Sequence, residues 1–176
     1  MKKNVLIPVI AIALVLCCVV GGSLAWLVDQ TTSVTNTFTV GDINIDLTET
    51  TTDYKMVPGN TIAKDPTVTV EAGSEASWLF VKVTESANFD DFMTYAIADG
   101  WTALAGVDGV YYRQVPATTA DTTFAVLKDN TVSVKDTVTK EQLNALTADT
   151  YPTLTFQAYA VQSDNVATAA DAWAKL

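Results

Sequence analysis

An apolar segment near the start of the chain leads almost directly into a β-forming segment, and this arrangement constrains the fold more than any other feature. Lys2 and Lys3 precede a stretch without charge that runs from Val5 to Val28. A cationic start, an apolar run and then small residues come in the order of a secretory signal peptide. We therefore expect an exported domain whose mature N-terminus is a short β-forming arm rather than a disordered tail.

Two small residues indicate where this signal is cut. Ser23 and Ala25 have the spacing that signal peptidases recognise, so we predict cleavage after Ala25, with Trp26 as the first mature residue. The uncharged stretch is also long enough to span a bilayer, and an uncleaved membrane anchor is therefore the alternative. A lipoprotein signal is not expected, because Leu16 rather than a small residue precedes Cys17.

The composition of the mature chain excludes several kinds of catalytic and metal site. Both cysteines, Cys17 and Cys18, lie in the apolar run, and the sequence contains no histidine. Disulfides, thiolate nucleophiles, histidine-based triads and zinc-binding histidine pairs are therefore excluded. We predict no cofactor and no metal, and a single domain of about 150 residues that is held together by its core alone.

The charge balance argues against two classes of partner. Removal of Lys2 and Lys3 lowers the Lys+Arg count from 10 to 8 while Asp+Glu stays at 20, which gives the mature chain a net charge of −12. Nucleic acid and anionic membranes are poor partners for such a surface. We expect no nucleic-acid binding, and contact with a membrane only through the uncleaved signal.

The body of the chain has the alternating apolar pattern of β-strands, interrupted by turn residues. The alternation that begins at Phe38 and Val40 is shifted by one residue after Gly41, which predicts a β-bulge at that glycine. Asp99-Gly100 and Asp108-Gly109 are dipeptides typical of type I′ hairpin turns. Strands are predicted over residues 43–47, 67–70, 78–83, 101–104, 110–115, 123–127, 131–134 and 154–161.

Helical spacing is limited to three short segments. Thr139 and Gln142 form a predicted capping box at the start of the second segment. The first contains Phe89, Phe92 and Met93, with Asp90 and Asp91 in its first turn. The third runs from Val166 to Leu176, and its predicted apolar stripe consists of Val166, Ala169, Ala170 and Trp173. Many short strands and few helices predict a mainly β fold, a jelly-roll-like antiparallel β-sandwich.

The remaining candidates for chemistry are carboxylate pairs and aromatic side chains. Asp90 and Asp91 are better explained as first-turn helix charges, and Asp42 and Asp46 as the solvent face of a strand. No acidic loop has the ligand spacing of a Ca²⁺ site. A sugar-binding face is the alternative to core packing for the aromatic residues Trp78, Trp101, Tyr111, Tyr112, Tyr159 and Trp173. We therefore predict no catalytic residue.

Four segments that span nearly the whole chain resemble one known family. They are residues 21–29, 36–41, 58–68 and 156–162. Together they resemble the TasA/camelysin family of exported Gram-positive proteins. The resemblance implies processing by a dedicated signal peptidase of the endoplasmic-reticulum type and a jelly-roll sandwich. TasA-like members build extracellular fibres of the biofilm matrix, in which the N-terminal arm of each subunit adds a strand to its neighbour. Camelysin-like members are described as surface metallopeptidases.

The predicted arm, residues 26–40, has the composition of a donor strand. It is rich in Thr, Val and Asn, contains neither Pro nor Gly, and carries one charge, Asp29. Such a segment can complete an open sheet edge in another subunit, and a head-to-tail contact of this kind does not close. The arm residues expected to make the intersubunit contact are Leu27, Val28, Val34, Phe38 and Val40.

These observations divide the chain into a signal peptide (1–25), an N-terminal β arm (26–40) and a β-sandwich domain (41–176). We expect a secreted structural protein of the extracellular or biofilm matrix, not an enzyme, whose partners are other copies of itself. The alternatives are a monomeric cell-surface or adhesive protein whose arm pairs within its own domain, and a camelysin-type metallopeptidase. The missing histidines weigh against the peptidase, because carboxylates alone seldom form a zinc site.

Overall fold

The computed structural model describes residues 42–50 and 55–176. Within these residues 41% of positions lie in strands and 11% in helices, arranged as three antiparallel sheets and three short helices. The predicted fold class, a mainly β, jelly-roll-like antiparallel sandwich with a few short helices, is confirmed.

The elements follow one another in a simple order along this part of the chain. The strands are β1 (Ile45–Thr48), β2 (Thr61–Ala63), β3 (Thr67–Val70), β4 (Ser77–Glu85), β5 (Met93–Ile97), β6 (Thr102–Ala103), β7 (Val110–Val115), β8 (Thr122–Ala125), β9 (Leu127–Val134) and β10 (Leu154–Gln162). The helices are α1 (Phe89–Phe92), α2 (Lys140–Asn144) and α3 (Ala169–Trp173).

The strands form three sheets, which we name I, II and III. Sheet I has the order β1-β3-β8, sheet II the order β10-β4-β7-β6, and sheet III the order β2-β9-β5. Strand β4 is paired along most of its length on both sides, with β10 and with β7. This central position agrees with the apolar character of both of its faces in the sequence.

Sheets I and II pack face to face around the main core. Val68 and Val70 of sheet I are fully buried against Leu79 and Val81 of sheet II. These four side chains occupy alternate positions of their strands, as expected for strands that bury one face. Burial of each aliphatic side chain of this size contributes about 1.5–3 kcal/mol.

A second core lies under sheet III, and a hydrogen bond closes its border with sheet II. Its fully or nearly buried residues are Phe89, Met93, Leu127, Val132 and Val134. The hydroxyl of Tyr95 donates to the carboxylate of Glu85 at 2.6 Å. Burial, together with this neighbouring carboxylate, raises the pKa of Tyr95 well above its usual range.

The two Asp-Gly dipeptides form turns, but not the predicted type I′ hairpins. Gly100 and Gly109 have positive φ angles of 87° and 69°, whereas neither preceding aspartate does. A type I′ turn requires positive φ at both central residues. The chain also leaves sheet III for sheet II around Gly100, and six residues, 104–109, separate β6 from β7. The prediction of type I′ turns was therefore wrong, although β6 and β7, which the second connection joins, do pair antiparallel.

The capping box at α2 is confirmed by reciprocal hydrogen bonds. The Gln142 N–H donates to the Thr139 hydroxyl oxygen at 3.2 Å, and the Thr139 N–H donates to the Gln142 side-chain oxygen at 2.8 Å. In α1, Asp90 and Asp91 occupy the first turn as predicted, but Met93 begins β5 instead of extending the helix.

The C-terminal helix is shorter than predicted, and of its predicted stripe Val166, Ala169 and Trp173 pack into the core beside sheet II. Helix α3 covers only Ala169–Trp173, because the Thr168 side chain caps it by accepting from the Asp171 N–H at 3.1 Å. The predicted stripe included Ala170, which is exposed, whereas Ala172 is fully buried against sheet II. A helix that begins at Ala169 places residue 172, three positions on, on the same face.

Candidate assembly surface

The residues predicted for cleavage and for strand donation lie outside the described part of the chain. They are Ser23, Ala25, Trp26, Leu27, Val28, Val34, Phe38 and Val40, and the predicted bulge at Gly41 lies outside it as well. A donor strand needs an unpaired strand edge beside an incomplete core, and two strand edges of the described residues are relevant to that requirement.

The first such edge belongs to β1. The Glu71 N–H donates to the Asn44 carbonyl at 2.9 Å, so Asn44 bonds to β3. Because hydrogen-bonded and non-hydrogen-bonded pairs alternate in an antiparallel ladder, the backbone groups of Ile45 and Leu47 point away from β3. Within residues 42–50 and 55–176, β3 is the only strand that pairs with β1. The outward N–H of Leu47 donates to the carboxylate of Asp46 at 2.8 Å.

The second edge belongs to β10. Two hydrogen bonds at its ends show which of its residues bond to β4. The Ser86 N–H donates to the Thr153 carbonyl at 3.0 Å, and the Ser163 N–H donates to the Ala76 carbonyl at 2.8 Å. Odd-numbered residues of β10 thus direct their backbone groups toward β4, and even-numbered residues direct them away. Among the described strands, β4 is the only partner of β10, so no described strand pairs with its outer edge, which is nine residues long.

Between these two edges the sandwich core is incompletely covered. The core-facing residues of β1 and β10 remain only partly buried, unlike Val68 and Leu79 in the centre, which are fully buried. The partly buried residues are Ile45, Leu47, Leu154, Phe156, Ala158 and Ala160. In the described part of the chain, the apolar core surface between β1 and β10 is therefore partly accessible to solvent.

A groove of about 260 Å³ marks the place where the ends of β1 and β10 meet. Its apolar lining residues include Leu47, Phe156 and Pro66. The remaining described lining residues are Thr48, Glu49, Leu154 and Thr155. The groove thus has both apolar and polar lining residues.

A larger cavity of about 820 Å³ has Leu154 among its lining residues, as the groove does. Its apolar lining extends the core of sheet III to the surface, and Val57 and Tyr151 at its border are 47% and 51% exposed. The apolar lining residues among those described are Met56, Val57, Ile62, Phe89, Met93, Val132, Leu143, Pro152 and Leu154. Lys55 and Lys64 supply positive charge to the same cavity.

Polar contacts fix the junction between the groove and the cavity. Lys64 forms an ion pair with Glu49 at 2.5 Å, and its ammonium lies 5.4 Å from the centre of the Phe156 ring. Next to this pair, the Thr50 N–H donates to Asp65 at 3.0 Å and the Thr50 hydroxyl donates to the same carboxylate. The side-chain hydrogen bond from Thr50 is the main reason that the pKa of Asp65 is lowered.

The opposite side of the sandwich is closed by side chains. The Trp101 indole N–H donates to the Ala125 carbonyl of β8 at 2.8 Å. The Arg113 guanidinium carbon lies 3.9 Å from the centre of the Phe124 ring and 5.3 Å from that of Trp101. Burial lowers the pKa of Arg113. Because these side-chain contacts cover this side of the sandwich, the β1/β10 side is the candidate acceptor.

The predicted carboxylates are not gathered into a reactive site. Asp42, Asp46, Asp90 and Asp91 are exposed, and Asp42 accepts from the Ile43 N–H at 2.8 Å much as Asp46 does from its own neighbour. Across residues 42–50 and 55–176, no group of three or more His, Cys, Asp or Glu side chains could hold a metal ion. The helices of this same part include none that is long and apolar enough to cross a membrane.

Most of the aromatic residues that could have formed a sugar-binding face are packed against one another. The Trp173 ring lies 5.3 Å from Phe80 and 5.5 Å from Tyr159, and Trp78 lies 5.8 Å from Tyr112, centre to centre. The two remaining candidates, Trp101 and Tyr111, border the core between sheets I and II. These contacts favour core packing over a stacking platform.

Comparison with known proteins places this β-sandwich in a family. The sequence model described as camelysin metallo-endopeptidase matches residues 1–92, which is just over half of the 176 residues. The chain belongs to the camelysin family, and the resemblance to TasA/camelysin proteins is confirmed. No curated protein and no solved structure matched the chain.

Sequence reasoning identified the donor candidate but not the acceptor side. One signal for it was present: the inward residues of β10 become smaller along the strand, from Leu154 and Phe156 to Ala158 and Ala160. Small residues on the buried face of a long apolar strand leave space for another element. Without the sheet order, this pattern cannot be distinguished from close packing within one domain.

Proposed function

We propose that this chain is an exported structural subunit that polymerises head to tail, with the N-terminal arm of one copy completing the β1/β10 side of the next. One observation carries the proposal: partly exposed core residues lie between two strand edges that have no outer partner among the described strands. A strand from another copy that pairs with one of these edges would cover part of this apolar surface and satisfy the backbone groups of that edge.

The arm suits that site in composition. Its Thr and Val residues favour extended structure, and its single charged side chain, Asp29, leaves few groups to desolvate. Donor and acceptor lie on different parts of the subunit, so the contact is heterologous. Repetition of a heterologous contact that does not close gives a filament.

Export and release at the cell surface or into the surrounding matrix belong to the same proposal. The order of charge, apolar run and small residues before Trp26 supports a cleaved signal. Cleavage would give the arm a free start, which a strand-donating segment needs in order to enter a neighbour. The partners are then other copies of this chain and, during export, a dedicated signal peptidase.

Electron microscopy of the mature protein, residues 26–176, tests this function. We expect fibres from the mature protein and none from a variant that begins at Thr37, because the body supplies the core and the arm supplies only the junction. Circular dichroism serves as the control that the shortened variant retains its β-structure. Fibres formed without the arm, or a mature protein that remains monomeric at high concentration, would contradict strand donation.

The family description raises the alternative of a metallo-endopeptidase, and we propose that this chain does not have that activity. It has no histidine, and its two cysteines lie before the predicted cleavage site. Protein purified from a protease-deficient host is therefore expected to leave casein intact. Casein cleavage that stops on addition of a chelator would contradict this proposal.

A further inference from the structure

We propose that the cavity beside α2 binds an anionic amphiphile with a single alkyl chain, whose chain lies in the cavity and whose charged group lies beside Lys55. This inference goes beyond the structural role proposed above and does not depend on it. Three properties of the described lining residues carry it: the space that they enclose, the chemistry of their side chains and the sign of their charge.

The cavity has the size and the rigid support of a small-molecule site. Its volume of about 820 Å³ lies within the range of roughly 300–1,000 Å³ that is usual for such sites. Phe89, Met93 and Val132 line it and belong to the buried core of sheet III. Val57 and Tyr151 also line it and are about half exposed. One wall is therefore fixed by the core, while the border is open for a ligand to enter.

The walls suit a flexible alkyl chain better than a planar ring. Most of the described apolar lining consists of Val, Ile, Leu and Met side chains, namely Met56, Val57, Ile62, Met93, Val132, Leu143 and Leu154. Methionine side chains are flexible and adapt to the shape of an apolar partner. Phe89, one of the two aromatic lining residues, already packs edge-on against Tyr95, with ring centres 5.7 Å apart. The cavity thus offers apolar contact and not a stacking platform.

The charge of the lining favours one sign for the polar end of the ligand. The sequence has 20 Asp and Glu residues against 10 Lys and Arg, yet the described lining contains two lysines, Lys55 and Lys64, and no carboxylate. Lys64 pairs with Glu49, which lines the groove instead of the cavity. Lys55 is exposed, and no described carboxylate forms an ion pair with it. In an acidic protein, this local excess of positive charge favours an anionic head group.

The polar and apolar parts of the cavity are separated as an amphiphile requires. Phe89, Met93 and Val132 are 1%, 8% and 2% exposed and provide the apolar interior. Lys55 and Val57 belong to the segment before β2, and both are exposed at the border. A small anion would leave the apolar interior unused, and an uncharged alkane would leave Lys55 without a partner. A ligand with both parts uses the whole site.

Isothermal titration calorimetry of the mature protein, residues 26–176, with sodium decanoate below its micelle concentration tests the proposal. We expect saturable binding of one decanoate per chain. Octanoate, which is two methylene groups shorter, should bind about 15-fold more weakly, because each buried methylene contributes about fourfold in affinity. Decyltrimethylammonium has a chain of similar length and the opposite charge, and it should bind more weakly than decanoate because Lys55 repels it.

Two substitutions separate the contribution of the charge from that of the cavity. Lys55→Glu should weaken decanoate binding about fivefold or more and strengthen the binding of decyltrimethylammonium. Lys128→Glu makes the same change at an exposed position of β9 outside the described lining, and it should leave both affinities unchanged. Leu143→Gln, which keeps the helical propensity of α2, should weaken both ligands. Circular dichroism serves as the control that each variant retains its fold.

The contrary results would each overturn the proposal. Absence of decanoate binding would exclude the site. Equal affinities for decanoate and decyltrimethylammonium, or equal effects of Lys55→Glu and Lys128→Glu, would show that Lys55 does not select the charge. Decanoate binding that Leu143→Gln leaves unchanged would place the ligand outside the cavity. None of these measurements requires fibres, so a failure here would leave the proposed polymerisation to be judged on its own test.

Discussion

Replacement of Gly109 by alanine is expected to lower the free energy of unfolding by about 3 kcal/mol or more, and so to remove much of the stability of a typical domain. Gly109 has a φ of +69°, and a Cβ at this position would clash with the carbonyl oxygen of Val83 in the central strand β4. The Val83 N–H donates to the Gly109 carbonyl at 2.7 Å. Relief of the clash would therefore disturb a backbone hydrogen bond at the centre of sheet II.

Gly106 provides a matched control for this substitution. Its φ of +79° is similar, but a Cβ there would meet no atom within 4 Å. Gly106→Ala should cost only the conformational penalty of a left-handed residue, about 1–2 kcal/mol. Urea denaturation of both mature variants separates the two effects. Equal losses of stability would show that φ alone, and not the approach to Val83, determines the cost.

Local sequence signals predicted those features that local interactions determine. The capping box of Thr139 and Gln142 needs only residues three apart. The alternation along β10 likewise indicated which side chains face the core. In each case the sequence contains both partners of the interaction, or the pattern of a single strand.

Features that depend on distant residues were predicted less well. Asp108-Gly109 has the composition of a hairpin turn, but its glycine is required because the chain passes close to Val83, which is 26 positions earlier. Short helices were also difficult: α1 ends at Phe92 because Met93 pairs with Val134 of β9. Tertiary pairing can override a helical pattern of only one turn.

The candidate acceptor side could not be predicted from the sequence for the same reason. Which strand edges lack an outer partner depends on the order β1-β3-β8 and β10-β4-β7-β6, and no local pattern encodes that order. Closure of the opposite side by Arg113, Phe124 and Trp101 combines residues from three segments. The sequence could therefore indicate a donor strand, but only the fold indicates where such a strand would be received.

A mixture of two variants, each unable to form fibres alone, is expected to form dimers and nothing longer. The first variant begins at Thr37 and can receive an arm but cannot donate one. The second carries Ala158→Pro and can donate its arm but cannot receive one. The outward N–H of Ala158 does not bond to β4, so proline there leaves the pairing within sheet II intact. Its ring occupies the space that an incoming strand needs.

Size-exclusion chromatography with light scattering measures the outcome. Each variant alone should elute as a monomer, and an equimolar mixture should elute as a dimer, because the single compatible junction uses the arm of one variant and the open edge of the other. Ala158→Ser, which retains the N–H at nearly the same size, is the control and should form fibres like the wild type. A mixture that remains monomeric would show that the arm and the β10 edge do not meet. Fibres from the Ala158→Pro variant alone would show that polymerisation does not need this edge, because subunits whose β10 edge is blocked would still add to one another.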